Sequence, residues 1–141
     1  MLKTIIEASE NFCIHQIRVH HEIHDNVSKM RTLIAYIDIE TLDKINHRGY
    51  LGASPSFAQR ISTLYLEEDE SDGETLIDMI LETTNQIVGS AKAIAEEENI
   101  NPCFIITPHF ENIYLLDVDY YQVKVIKIEG EEMIIAIKEF S

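Results

Sequence analysis

The apolar positions of this chain fall into two periods, one helical and one extended. The longest regular run, residues 75–101, places Leu76, Ile77, Ile80, Leu81, Thr84, Ile87, Val88, Ala91, Ile94 and Ala95 on one side. That i, i+3, i+4, i+7 spacing predicts a helix with one buried face. Its opposite stripe is Asp78, Glu82, Asn85, Gly89, Lys92 and Glu96. The helix stops near residues 99–101, because Pro102 bars continuation. Alternation marks the strands. In residues 31–41, Leu33, Ala35, Ile37 and Ile39 alternate with Ile34, Tyr36, Asp38 and Glu40, the pattern of a strand with two distinct faces.

The remaining elements follow from turn and cap signals. Residues 42–47 read as a polar connection and 49–53 as a shorter strand. A helix then opens at Ser54-Pro55-Ser56. Ser54 caps it with Pro55 in the first turn, or Ser56 and Gln59 form a capping box. Phe57, Ile61, Leu64 and Tyr65 line its apolar face, and it ends before Glu67. Residues 67–74 (EEDESDGE) are too polar to pack and read as a solvated loop. Residues 103–107 are apolar on both faces, as in a central strand, and 113–118 suit a short edge strand. Residues 123–128 and 131–140 form a hairpin closed at Glu129-Gly130, where glycine supplies a positive φ. The first 30 residues define no single element. Leu2, Ile5, Ile6 and Ser9 share a helical face that Phe12, Cys13, Ile14 and Ile17 extend. Alternatively, Ile17 and Val19, alternating with Arg18 and His20, begin a strand. The fold class expected is α+β: a mostly antiparallel sheet of about five to six strands, with the long helix and one or two shorter helices packed on it. The 141 residues suit a single domain.

Composition narrows the partners. A net charge of −14 disfavours nucleic acid and anionic membrane surfaces, which need clustered Lys and Arg. No apolar run is long enough to span a bilayer, and no charged-then-apolar leader opens the sequence. Cys13 and Cys103 therefore read as free, buried thiols of a cytoplasmic protein. His15, His20, His21 and His24 crowd one region. On a helix, His20 and His24 would stand at i, i+4, a spacing that holds zinc. No third ligand follows at motif spacing, so no metal site is expected.

The exposed stripe of the long helix is the candidate site. Glu82 and Asn85 lie three apart and point the same way. Asn is a weak mid-helix residue, and Thr83 and Thr84 beside it are weak too. Departures of that kind from the local optimum are expected at functional sites. The chain holds two other ExxN pairs, Glu96/Asn99 and Glu98/Asn101, both at the helix end.

Only the first pair sits in a wider pattern: Asp78, three residues, Glu82, two residues, Asn85, then 22 residues to Pro108. This resembles the signature of the CheC/CheX/FliY family of chemotaxis phosphatases, which is Asp or Ser, x3, Glu, x2, Asn, x22, Pro. Roughly one unrelated chain in several hundred would match all four positions by composition. The run ETTNQIVGSAK is similar to the family's core segment. The order of elements over about residues 31–140 is similar too, so the resemblance implies a CheC-like fold. A single motif copy resembles the CheX type, since CheC types typically carry two. Residues 1–30 lack the clear long first helix that the family would have.

The resemblance implies hydrolysis of the aspartyl-phosphate of a CheY-like response regulator. Asn85 would position the attacking water, and Glu82 would anchor the regulator's lysine. Asp78 would either extend the docking stripe or cap the helix start. Gly89 would either admit the partner's backbone or allow close packing within the chain. No cofactor of its own is implied, because the Mg²⁺ belongs to the regulator. Members of the CheX type dimerise. The last strand, apolar on both faces and close to the chain end, reads as an open edge that would pair with a second copy.

Overall fold

A computed structural model describes residues 2–25, 32–41, 46–97, 103–105, 109–114 and 122–140. Helix α1 (Leu2–Phe12) runs into a π turn, Cys13–Ile17. Then come β1 (Glu22–His24), β2 (Thr32–Thr41), β3 (Asn46–Ala53), α2 (Pro55–Leu66) and α3 (Gly73–Glu97). Strands β4 (Cys103–Ile105), β5 (His109–Tyr114), β6 (Gln122–Ile128) and β7 (Glu131–Phe140) complete the chain. All pairings are antiparallel. The sheet runs β1-β6-β7-β3-β2-β4, with β5 also pairing β2. Five strands are long. β1 and β4 have three residues each, which takes the count past the five or six expected.

The three helices cover one face of the sheet. Ile5, Ala8 and Phe12 of α1, Phe57 and Ile61 of α2, and Ile80, Ile87, Val88 and Ala91 of α3 share one buried cluster. Leu33, Ala35, Ile37 and Ile39 of β2 belong to it, as do Met133, Ile135 and Ile137 of β7. Alternate residues form a smaller cluster on the other face: Ile34, Tyr50, Val125, Ile134 and Ala136, with Tyr36 and Val123 against it. The period of two thus sorts each strand between two apolar layers.

Several expectations are corrected. The N-terminal segment is a helix through Phe12, because Ile5, Ala8, Phe12 and Ile17 are buried at helical spacing against the sheet. β3 begins at Asn46, so His47 is a buried strand residue and not part of a connection. β4 reads as central by composition, yet among the described residues it pairs only with β2. Of the edge segment expected at 113–118, Ile113 and Tyr114 end β5, which begins at His109, and 115–118 lie outside the described residues. β7 lies between β6 and β3 from Met133 to Ile137, where its apolar faces are buried from both sides; beyond Ile137 it is paired, among the described residues, on the β3 side alone. Leu64 and Tyr65 are 43% and 39% exposed, since the apolar face of α2 leaves the sheet after Ile61. Pro108 and the C-terminal side of α3 beyond Glu97 lie outside the described residues.

Two local devices appear as read. Ser54 is the cap of α2: its Oγ accepts from the Phe57 N–H at 3.2 Å, with Pro55 in the first turn. Glu129 and Gly130 both have positive φ, 50° and 82°, and close the β6–β7 hairpin in a two-residue loop.

Candidate functional site

Helix α3 begins two residues earlier than its apolar period suggests. Asp72 accepts from the Thr75 N–H at 2.8 Å, and hydrogen bonding from the Thr75 side chain, with this backbone bond second, holds its carboxyl below the usual range. The acidic loop therefore supplies the cap, and anions at that end suit the helix dipole. Asp78 lies beyond the first turn, exposed, so the capping alternative for it is removed.

The α3 stripe faces solvent. Asp78, Glu82, Asn85, Gly89 and Glu96 are exposed, and Lys92 is half-buried and 4.0 Å from Glu96. Glu82 accepts from the side chain of Gln86 at 3.3 Å, one turn on. The opposite side holds Ile80, Thr84, Ile87, Ala91 and Ala95 in the interior. Thr83 and Thr84 are buried to 1%, and their hydroxyls donate to the carbonyls of Met79 and Ile80, each at 2.7 Å. Both are satisfied core residues. Their low helix propensity reflects packing, which leaves Asn85 as the one weak position of the three that faces solvent. Gly89 is corrected as well. A Cβ placed there meets nothing within 4 Å, so among the described residues nothing needs the missing side chain for close packing.

Asn85 opens onto a cavity of about 550 Å³ between α3 and the end of α1. Asn11, Phe12, His15 and Gln16 form one wall, and Asn85, Gln86, Gly89 and Ser90 the other. The last turn of α2 closes on the same region. Tyr65 donates its hydroxyl to Gln16 Oε1 at 3.2 Å. Burial and the nearby charge of Glu82 raise its phenol above the ordinary value. The sequence does not by itself bring Gln16, His15 and Tyr65 to this region. The first two sat in the segment of open assignment, and Tyr65 looked like core. The one available signal was that a polar pair, His15-Gln16, interrupts an apolar helical face.

The histidine cluster does not assemble. Arg18, at φ 63°, ends the helical stretch, so His20 and His24 are not on one helical face. His21 contacts Glu10 at 3.2 Å and His24 contacts Glu22 at 3.3 Å. Among the described residues, no group of three His, Cys, Asp or Glu side chains is placed to hold a metal. No described helix is long and apolar enough to cross a membrane.

No protein-family model matches the sequence, and no curated protein is similar to it in sequence. The likeness lies in the fold, which is that of the CheX and CheC-like chemotaxis proteins. The chemotaxis protein CheX from Vibrio vulnificus superposes with a TM-score of 0.78 at 15% identity, over 98% of this chain and 95% of that one. A chain of the CheX–CheY–BeF3–Mg complex from Borrelia burgdorferi gives 0.70 at 12% identity, over 99% and 97%. The middle domain of FliM from Vibrio alginolyticus shares the fold more distantly, at 0.56 and 7% identity over 96% and 88%.

Proposed function

We propose that this chain is a cytoplasmic chemotaxis phosphatase of the CheX type, hydrolysing the aspartyl-phosphate of a CheY-like response regulator. The observation that carries this is the placement of Glu82 and Asn85. They stand one turn apart, both exposed, with Asn85 on a cavity wall, in a fold shared with a protein crystallised as a CheX–CheY complex.

The chemistry asks little of the enzyme. An acyl phosphate is already activated, so the task is to hold a water in line with phosphorus and stabilise spreading charge. The water oxygen bonds to phosphorus as the bond from phosphorus to the aspartyl oxygen breaks. The aspartate leaves as carboxylate, and inorganic phosphate carries the water's oxygen. The Asn85 carboxamide accepts a hydrogen bond from that water and stays neutral beside the anion. Glu82 would repel a phosphoryl group, so it pairs with a regulator lysine and fixes orientation. Asp78 extends this docking stripe, and the open space at Gly89 admits the partner's backbone. The Mg²⁺ is the regulator's, and the phosphatase supplies no cofactor. The active species is a homodimer, as in the CheX resemblance.

Phosphate release from a phosphorylated regulator tests the reading. Asn85→Ala should fold normally, keep most regulator affinity and lower the stimulated rate by at least about a hundredfold, as expected for a positioned polar group. Glu82→Ala should weaken both affinity and rate, and Asp78→Ala should cost less than either. Wild-type rates in the Asn85 variant would remove the mechanism. An equal loss at Asp78 would make it a catalytic partner. The shared fold of the FliM middle domain favours one other reading, a non-catalytic module that docks a regulator or a flagellar switch component. Regulator binding without stimulated phosphate release would select it.

A further inference from the structure

The wall facing Asn85 is built from an unusual piece of backbone. The Arg18 N–H donates to the Cys13 carbonyl at 2.8 Å, closing a turn five residues long. Such π turns are rare and concentrate at functional sites. This one keeps Cys13 and Ile17 in the core and leaves three successive side chains, Ile14, His15 and Gln16, at the surface. His15 and Gln16 then line the Asn85 cavity.

Gln16 is held from behind. Its Oε1 accepts the Tyr65 hydroxyl. Tyr65 stays a donor because burial and Glu82 oppose its ionisation. The Gln16 amide nitrogen has no hydrogen-bond partner among the described residues. Tyr65 uses one lone pair of the oxygen and fixes the plane of the carboxamide, whose N–H₂ group still offers both hydrogens to a ligand. The other glutamine of the cavity differs, since the Gln86 nitrogen is committed to Glu82.

A donor that carries no charge suits a phosphoryl oxygen here. The surface is acidic, and a cation at this position would be drawn to Glu82. We propose that Gln16 is a second carboxamide of the site, donating to an oxygen of the partner's phosphoryl group, with Tyr65 as the positioning residue that orients it. This rests on the phosphatase reading above. Asn85 handles the water from α3, and Gln16 holds the phosphoryl group from the opposite wall.

The test is steady-state phosphate release from a response regulator phosphorylated with acetyl phosphate. Wild-type protein must accelerate release; no acceleration sinks the phosphatase reading and this proposal together. With an active wild type, Gln16→Ala should lower kcat by about ten- to a hundredfold, at or below the low end for loss of an oxyanion donor in a closed site. KM for the regulator should stay within about twofold, because an interaction made mainly in the transition state moves kcat. Gln16→Glu keeps the length but has no donor, and should not rescue. Tyr65→Phe keeps the ring and should cost about threefold in kcat, while the double variant should be no slower than Gln16→Ala, since Tyr65 acts through Gln16. Gln16 is exposed, so unchanged urea midpoints should accompany these losses. Wild-type kcat in Gln16→Ala, a loss confined to KM, or additive losses in the double variant would each overturn the assignment and leave the phosphatase reading standing.

Discussion

Cys13 opens the π turn with its side chain fully buried, and that burial pushes the thiol up to about 12 from an ordinary 9.0. The consequence for stability has a definite sign. Below the ordinary thiol range both folded and unfolded chains keep the proton, and nothing changes with pH. Above it the unfolded chain ionises while the folded one does not, so the unfolded state gains and stability falls as pH rises toward the folded value. Urea unfolding should therefore show a lower midpoint near about pH 10 than near about pH 8, with the drop smaller in Cys13→Ala. Equal drops would mean that Cys13 is not the group titrating. Other residues show how far single positions can be read from sequence. The exposure of Glu82 and Asn85 is legible from their place on the polar stripe of a helix, and both face solvent. Thr83 and Thr84 misled, because a hydroxyl bonded to the carbonyl one turn back packs as core. Only coordinates distinguish that state from exposure. Gly89 was ambiguous for the same reason: whether a missing side chain makes room for the chain or for a partner depends on neighbours distant in sequence.

At the scale of elements, α2 is tied to the sheet through its cap. Ser54 is fully buried and joins three backbone groups. Its Oγ accepts from Phe57 N–H at 3.2 Å and Glu132 N–H at 3.3 Å, and its own N–H donates to the Glu132 carbonyl at 3.0 Å. A solvent-exposed cap is worth about 1 kcal/mol. Here removal also strands a buried strand N–H, so Ser54→Ala should cost about 2–3 kcal/mol. The measurement is the urea midpoint at unchanged m-value, and a shift below about 0.5 kcal/mol would show that water or a backbone adjustment replaces the hydroxyl. Elements with one clean period and a chemical stop were legible: β2, α2, α3 and the β6–β7 hairpin lie within a residue or two of the pattern. α1 was not, because its helical face and a strand beginning near Ile17 fit the same short apolar run. What decided between them is burial of Phe12 and Ile17 against the sheet, a long-range contact. β4 failed in the opposite direction. Its apolar run reads as a central strand, and among the described residues it pairs only with β2.

The molecule as a whole is a sheet with every described helix on one side, and this layout decides how a second copy can attach. β7 is the expected pairing edge, but from Met133 to Ile137 it carries a strand on each side, so the backbone groups of that stretch are already used. The edges left among the described strands are β1 at one end and the β4 and β5 side of β2 at the other. β1 has three residues, with Glu22 and Ile23 exposed and His24 held near Glu22. A short, charged edge of this kind is the usual device against strand-to-strand association. Among the described strands, sheet extension by a second copy is left the β4 and β5 side, next to the strands that follow the motif helix, and the end of β7 beyond Ile137. Light scattering at micromolar concentration should give about twice the chain mass of 16.2 kDa. Lysine in place of Ile23 on β1 should leave that mass unchanged, because the edge it sits on is the blunted one. A monomer at that concentration removes the homodimer from the proposal, and loss of the dimer on changing Ile23 moves its interface to β1. Neither result touches Glu82 or Asn85, which lie on α3, a helix that packs against the sheet face and leaves both of these side chains to solvent.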